Sequence, residues 1–122
     1  MRRRQSDTID ASEYQYFRTE RELQSAIEQQ CRQLGFKVYH TKISQGSQKG
    51  FPDLCICGHG LTLFVECKGP NGSVSKEQEE WIAELKYAGN LAFVASTLNP
   101  GDFDRVVTIL QDAYESDFRA NR

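Results

Sequence analysis

The chain has 122 residues, 39% of them apolar and 26% charged, which suits one globular core and sets aside a disordered or fibrous chain. Its formal net charge of −2 excludes a protein that coats nucleic acid by bulk charge, so any contact with DNA must come from a local basic patch or a bound cation. No apolar run approaches the roughly 18 residues that span a bilayer, and no apolar stretch follows Arg2-Arg3-Arg4 to make a signal peptide, so the cytoplasm is the expected location.

Residues 1–17 mix arginines with polar residues and keep no period, which predicts an N-terminal arm whose end Tyr14, Tyr16 and Phe17 anchor. A helix is expected from Thr19-Glu20-Arg21-Glu22. Thr19 caps its first turn, Glu22 stands at the capping-box position, Leu23, Ile27, Cys31 and Leu34 share a face, and Gly35 ends it. Phe36–His40 reads as a strand and Ser44–Gly50 as an exposed loop. Two short strands, Asp53–Cys57 and Leu61–Cys67, flank the turn-forming Gly58-His59-Gly60. After the loop Gly69–Ser73 a second helix opens at Ser75, with Gln78 completing a capping box. It turns Trp81, Ile82, Leu85 and Ala88 inward and stops at Gly89. Leu91–Ala95 is a continuous apolar run, as in a strand buried on both faces, and a last helix starts near Asp102 with Phe103, Val106, Val107, Leu110 and Tyr114 at helical spacing. The order α-β-β-β-α-β-α makes an α/β fold with a mixed sheet flanked by helices. One domain is expected over 18–118, with 119–122 as a C-terminal tail.

Cys31, Cys55, Cys57 and Cys67 are too few and too unevenly spaced for a disulfide framework or a zinc pattern, and read as reduced, mostly buried residues.

The chemistry concentrates on the strand Leu61–Lys68. Alternation puts Glu66 and Lys68 on one face and Leu63, Val65 and Cys67 on the other. A two-residue turn at His59-Gly60 pairs residues whose numbers sum to 119, which sets Asp53 across from Glu66 with Cβ atoms about 4.5–5.5 Å apart. Two neighbouring carboxylates repel on an apolar sheet, and a hard divalent cation turns that liability into a ligand set. Such a cation with a nearby lysine is the equipment of a phosphodiester hydrolase.

Gly50-Phe51-Pro52-Asp53-Leu54, then Val65-Glu66-Cys67-Lys68, then Ser75-x-x-Gln78-x-x-Trp81, in this order and spacing, closely resembles the VRR-NUC (virus-type replication and repair nuclease) family of the PD-(D/E)XK nucleases over about Glu20 to Ser96. The resemblance implies a restriction-endonuclease-like core and a Mg2+-dependent endodeoxyribonuclease, with Mn2+ as a substitute. It implies Asp53, Glu66, a first-helix glutamate and the backbone carbonyl of Cys67 as metal ligands, Lys68 as catalytic, and Gln78 positioning water or substrate. The glutamate is placed at Glu20, because Glu20-Arg21-Glu22-Leu23-Gln24 matches the family's E-x-E-(L/I)-Q form and Glu22 already has the capping role. Small stand-alone members resemble Holliday junction resolvases, so the expected partners are branched DNA and a second copy of the chain, in a bacterial or phage-infected cell.

Other residues carry plainer readings. Without the Gly-Phe-Pro-Asp match, Glu66 and Lys68 would be a surface ion pair of little energy. Gln78 fits a capping box as well as a site. His40 at a strand end and His59 in a turn are not needed for metal-assisted hydrolysis. Arg2–Arg4 read as a solvated arm, Trp81 as core, and Cys55 and Cys57 as thiols that suit softer metals than magnesium. Lys42, Lys49 and Lys76 lie near the predicted site and are the candidate DNA-binding contacts to phosphate.

Overall fold

A computed structural model of the chain describes residues 17–42 and 49–120. The elements follow the expected order: α1 (Glu20–Leu34), β1 (Lys37–His40), β2 (Leu54–Gly58), β3 (Leu61–Lys68), α2 (Lys76–Tyr87), β4 (Leu91–Ser96) and α3 (Pro100–Ala120). The last helix starts earlier than expected, at Pro100, where a first-turn proline gives up an N–H that has no intrahelical partner.

Local chemistry sets the helix ends. The Thr19 hydroxyl accepts from Glu22 N at 3.1 Å, while Glu22 Oε1 accepts from the Arg18 amide at 2.7 Å, one residue outside the cap. Gly35 closes α1 in the left-handed region at φ 83°, and Phe36 N donates to Cys31 O at 2.8 Å, so orphan carbonyls are satisfied as the chain turns into β1.

The strands form one sheet in the order β1-β2-β3-β4. The first three are antiparallel; β4 runs parallel to β3, and α2 makes the crossover that a parallel pair requires. The main core lies between one face and the pair α1 and α3. Leu23, Ile27 and Cys31 meet Leu54, Ile56, Leu63, Val65 and Cys67, and Val106 and Leu110 close the layer. Burying each large aliphatic side chain contributes about 1.5–3 kcal/mol, so this layer holds the sheet rigid.

On the other face α2 buries Ile82, and Phe51 sits edge-on between Phe64 and Trp81 with ring centroids 5.8 and 5.0 Å away. The cover stops short of β1 and β2, leaving Tyr39 65% exposed and Cys57 at the surface. Cys31 and Cys67 are buried, Cys55 is half-buried, and all four thiols are free. Ala88 and Tyr114, expected to face inward, lie at the surface. Phe17 packs on Phe103 at 5.0 Å; Tyr14, Tyr16 and the arginine arm lie outside the described residues. None of the described helices is long and apolar enough to cross a membrane.

His59 ties the end of the β2–β3 hairpin to two helices. Its Nδ1 lies 2.7 Å from Asp117 Oδ2 on α3, and its Nε2 lies 2.6 Å from the Leu34 carbonyl at the end of α1. Phe36 and Tyr114 meet its ring edge-on. A role as a structural clamp, remote from the carboxylates at the other end of α1, accounts for this histidine.

Candidate active site

The β2–β3 ladder pairs Leu54 with Val65, Cys55 with Phe64 and Ile56 with Leu63, each summing to 119. Its next step sets Asp53 opposite Glu66. Asp53 stands just before β2 begins, so its side chain continues the ladder where the backbone does not. Asp53 Oδ2 accepts from Cys67 N at 2.8 Å. Lys68 O accepts from Thr97 N on the β4 side, and strand carbonyls alternate, so the Cys67 carbonyl turns to the Asp53 side.

Glu66 is 2% exposed. Its Oε2 receives Lys68 Nζ at 3.3 Å and Gln78 Nε2 at 2.8 Å, whereas its Oε1 is buried with no hydrogen-bond partner. Burial, and then the neighbouring Asp53 carboxylate, push the Glu66 carboxyl up to about 7 against the pull of Lys68. Gln78 serves both readings of its sequence position with opposite ends of one amide. Its Oε1 accepts from Ser75 N at 2.9 Å, completing the cap of α2, which leaves Nε2 free to donate to Glu66.

Glu20, in the first turn of α1, also has its carboxyl raised, by burial and then by Asp53, with Lys68 and His40 pulling the other way. Its Oε2 accepts from Gln24 Nε2 at 3.3 Å. Glu22, the rival in sequence, spends Oε1 on the Arg18 amide. The start of α1 approaches the end of β3 closely at Gly69, where a Cβ would stand in a tight contact 3.2 Å from Glu20 N. Sequence reasoning passed over Gly69 as a loop residue; a glycine directly after the E-x-K triplet was the available signal.

The residues before Asp53 explain their own identity. At Gly50 φ is 92°, and a Cβ there would lie 2.5–2.8 Å from backbone atoms of Glu77 and Gln78, so only glycine lets this loop rest against the first turn of α2. Phe51 then fills the gap between Phe64 and Trp81, and Pro52 is fully buried. The Thr41 hydroxyl donates to Pro52 O at 2.8 Å and the Thr41 amide to Asp53 O at 2.7 Å.

Each candidate phosphate-binding lysine is an exposed neighbour of this framework. Lys42 follows Thr41, Lys49 precedes Gly50, and Lys76 lies in the first turn of α2 beside Ser75. Lys49 also borders an open cleft of about 310 Å3 with Trp81 and the acidic Glu77, Glu80 and Glu84. His40 Nδ1 lies 3.8 Å from Glu28 Oε2, and Cys57 stays at the open part of the sheet beside Thr62.

The donor set suits a hard divalent ion. It offers carboxylates at Asp53, Glu66 and Glu20, a backbone carbonyl at Cys67, and a buried carboxylate oxygen that lacks a partner. Among the described residues no three His, Cys, Asp or Glu side chains come close enough to hold an ion by themselves, so Asp53, Glu66 and Glu20 do not form a closed three-carboxylate site as they stand.

Comparison with known proteins bears on the fold and the family. Comparison with curated proteins gives no match. A solved structure titled VRR_NUC domain protein aligns with a TM-score of 0.59 and 24% identity, over 80% of this chain and 88% of that one. A second, titled VRR_NUC domain, aligns at 0.58 and 24% over 75% and 94%. These two likenesses speak for the fold, which is consistent with the restriction-endonuclease-like core. The sequence profile of the VRR-NUC domain matches residues 3–97, beginning well before Glu20 and so taking in much of the stretch expected to be an arm. With more than half of its length matched, the chain belongs to the VRR-NUC domain family, a membership that implies a nuclease of the PD-(D/E)XK type, with DNA as substrate and the divalent-metal chemistry general to that type.

Proposed function

We propose that this chain is a Mg2+-dependent endonuclease that hydrolyses phosphodiester bonds in branched DNA, that Mn2+ can substitute, and that it works as a homodimer in the cytoplasm. The observation that carries the metal-dependent reading is Glu66 Oε1, buried and unpartnered on a carboxyl that burial and the Asp53 charge push up. An oxygen in that position costs free energy until a cation meets it.

A divalent ion bound there supplies Lewis acidity toward a phosphoryl oxygen and lowers the pKa of a bound water. Asp53, Glu66, Glu20 and the Cys67 carbonyl hold it. Gln78 and Lys68 both engage Glu66 Oε2, which leaves Oε1 for the ion. Lys68 is close enough to this centre to orient the attacking water and to offset negative charge that grows on the phosphoryl group in the transition state. Lys42, Lys49 and Lys76 supply phosphate contacts around it.

Support for branched DNA and a dimer comes from the resemblance to family members that are organised like Holliday junction resolvases. Two copies of one site related by a two-fold axis suit paired cuts across a junction. The test is cleavage of a synthetic four-way junction beside linear duplex of the same sequence, with magnesium, manganese or chelator. Symmetric junction cuts are expected that need metal and fall by more than about a hundredfold in Asp53→Ala, because loss of even an outer-shell partner costs about 10–100-fold. Equal cutting of linear duplex would reduce the reading to a general DNA nuclease. Junction binding without products would leave a DNA-binding protein on the same fold.

A further inference from the structure

We propose that Thr41 is a positioning residue for the reaction, acting through Asp53. This rests on the nuclease reading above and adds to it a residue outside the motif set. Thr41 follows β1, and its pairing with Asp53 continues the β1–β2 register by one step, since His40 pairs with Leu54. The step is made by two donors of one residue. The amide donates to Asp53 O at 2.7 Å, and the hydroxyl donates to Pro52 O at 2.8 Å. Both carbonyls that bracket the Asp53 amide and α-carbon are therefore held.

The need for such a clamp follows from where Asp53 stands. It lies one residue before β2, so regular ladder pairing with β3 ends at Leu54. Among the described residues its carboxylate is fixed at a single point, Oδ2 on Cys67 N at 2.8 Å. With the backbone loose, rotation about φ and ψ at 53 would swing the carboxylate away from the Cys67 amide. Pro52 cannot help, because it has no N–H to donate, and its buried carbonyl needs a donor that only a neighbouring chain can bring. Thr41 brings it from β1. Ligand-orienting hydrogen bonds of this kind are worth about 10–100-fold in metal affinity or activity.

The experiment compares full-length wild type, Thr41→Val, Thr41→Ser and Asp53→Ala. Valine keeps the shape and the amide bond and removes only the hydroxyl; serine keeps the hydroxyl. Mn2+ affinity is measured by titration calorimetry, the Cys67 amide proton is followed by NMR in metal-free protein, and kcat and KM are measured on junction DNA. Expected for Thr41→Val are roughly tenfold weaker Mn2+ binding, a displaced Cys67 amide signal, and a fall in kcat with little change in KM. Thr41→Ser is expected to restore all three. If valine is not tolerated in the fold, Thr41→Ala removes the same donor, and the same readouts decide.

Wild-type Mn2+ affinity and an unmoved Cys67 amide in the hydroxyl-less variant would overturn the inference, as would losses that serine does not restore. A merely structural threonine would lower the melting temperature and leave both readouts of the folded protein in place. Failure of the underlying reading looks different: wild type and Asp53→Ala would then bind Mn2+ equally or not at all.

Discussion

A carboxylate oxygen without a partner inside a protein is a store of instability, and Glu66 Oε1 is such an atom. Nothing in the folding of the sheet requires it; an amide in its place would carry no charge to desolvate and no repulsion from Asp53. Glu66→Gln is therefore expected to raise the melting temperature of the metal-free protein, by the equivalent of about 1–3 kcal/mol for a relieved buried charge. The same change should abolish the stabilisation that Mg2+ or Mn2+ gives wild type by mass action. Thermal melts with and without metal read both effects. A variant that is less stable without metal, and still stabilised by it, would contradict this account of the site. Under the proposed role of Glu66, activity and stability would oppose each other at this position, as they do at many sites where charge is gathered for chemistry.

At the scale of elements, two joints decide the architecture around the site. The first is the contact of the Gly50 loop with the start of α2, where a Cβ would meet Glu77 backbone at 2.5 Å. Gly50→Ala should cost about 2 kcal/mol or more, because it adds a backbone collision to the strain of a positive φ. Gly60→Ala serves as the control. Its φ is 77° but a Cβ there meets nothing within 4 Å, so only the conformational cost of about 1–2 kcal/mol remains. Denaturant melts of the two variants separate the terms, and only the Gly50 change should also weaken Mn2+ binding.

The second joint is His59. Both ring nitrogens face acceptors, a carboxylate and a carbonyl, and an imidazole can donate from both only when it carries two protons. The hydrogen bond to Asp117, and then the Leu34 carbonyl, raise its pKa above the ordinary histidine value. A raised histidine pKa contributes stability that is fully present below the unfolded-state value and lost as pH rises through the folded-state value. Melting temperature should thus decline on going from mildly acidic pH through and above neutrality. The decline attributable to this residue should be absent from His59→Gln when the two titrations are compared.

For the whole molecule, charge sets how DNA is met. The net charge is −2, and α2 carries Glu77, Glu80 and Glu84 on the cleft beside Lys49, so under the proposed function attraction would come from a small basic border set against an acidic background. If Lys42, Lys49 and Lys76 each neutralise one phosphate, log K should fall against log salt with a slope near −3 in chelator, and each lysine-to-alanine change should reduce it by about 1. Binding isotherms at several salt concentrations measure this. A steeper slope would mean phosphate contacts beyond these three lysines.

Much of this molecule can be read along the chain, for a physical reason. Tight turns transmit register, so a two-residue turn at His59-Gly60 was enough to align Asp53 with Glu66, as the ladder from Leu54–Val65 bears out. Alternation along one strand put Glu66 and Lys68 on the face that Gln78 reaches. What stayed hidden depends on elements that meet without a tight turn between them. Thr41 meets Pro52 across the long β1–β2 connection, Gly69 meets Glu20 across most of the fold, and His59 meets both Leu34 and Asp117. Tyr114 keeps the helical spacing of its core neighbours but comes after α3 has passed the end of the sheet, so it packs on His59 at the surface.

Gln78 illustrates how narrow a choice a single position can be. Its side chain bridges two polar groups of opposite demand: a backbone N–H that wants a lone pair and a carboxylate that wants a hydrogen. Glutamate could satisfy the helix start but would set an anion against Glu66; lysine could satisfy Glu66 but would leave the amide of Ser75 bare. Asparagine has both functions and is one methylene too short. Glutamine alone combines the two polarities with the required span, and its amide can be inserted only one way round. The start of α2 thus serves as an alignment key for the carboxylate, and the helix cannot fray there without releasing Glu66, the proposed metal ligand.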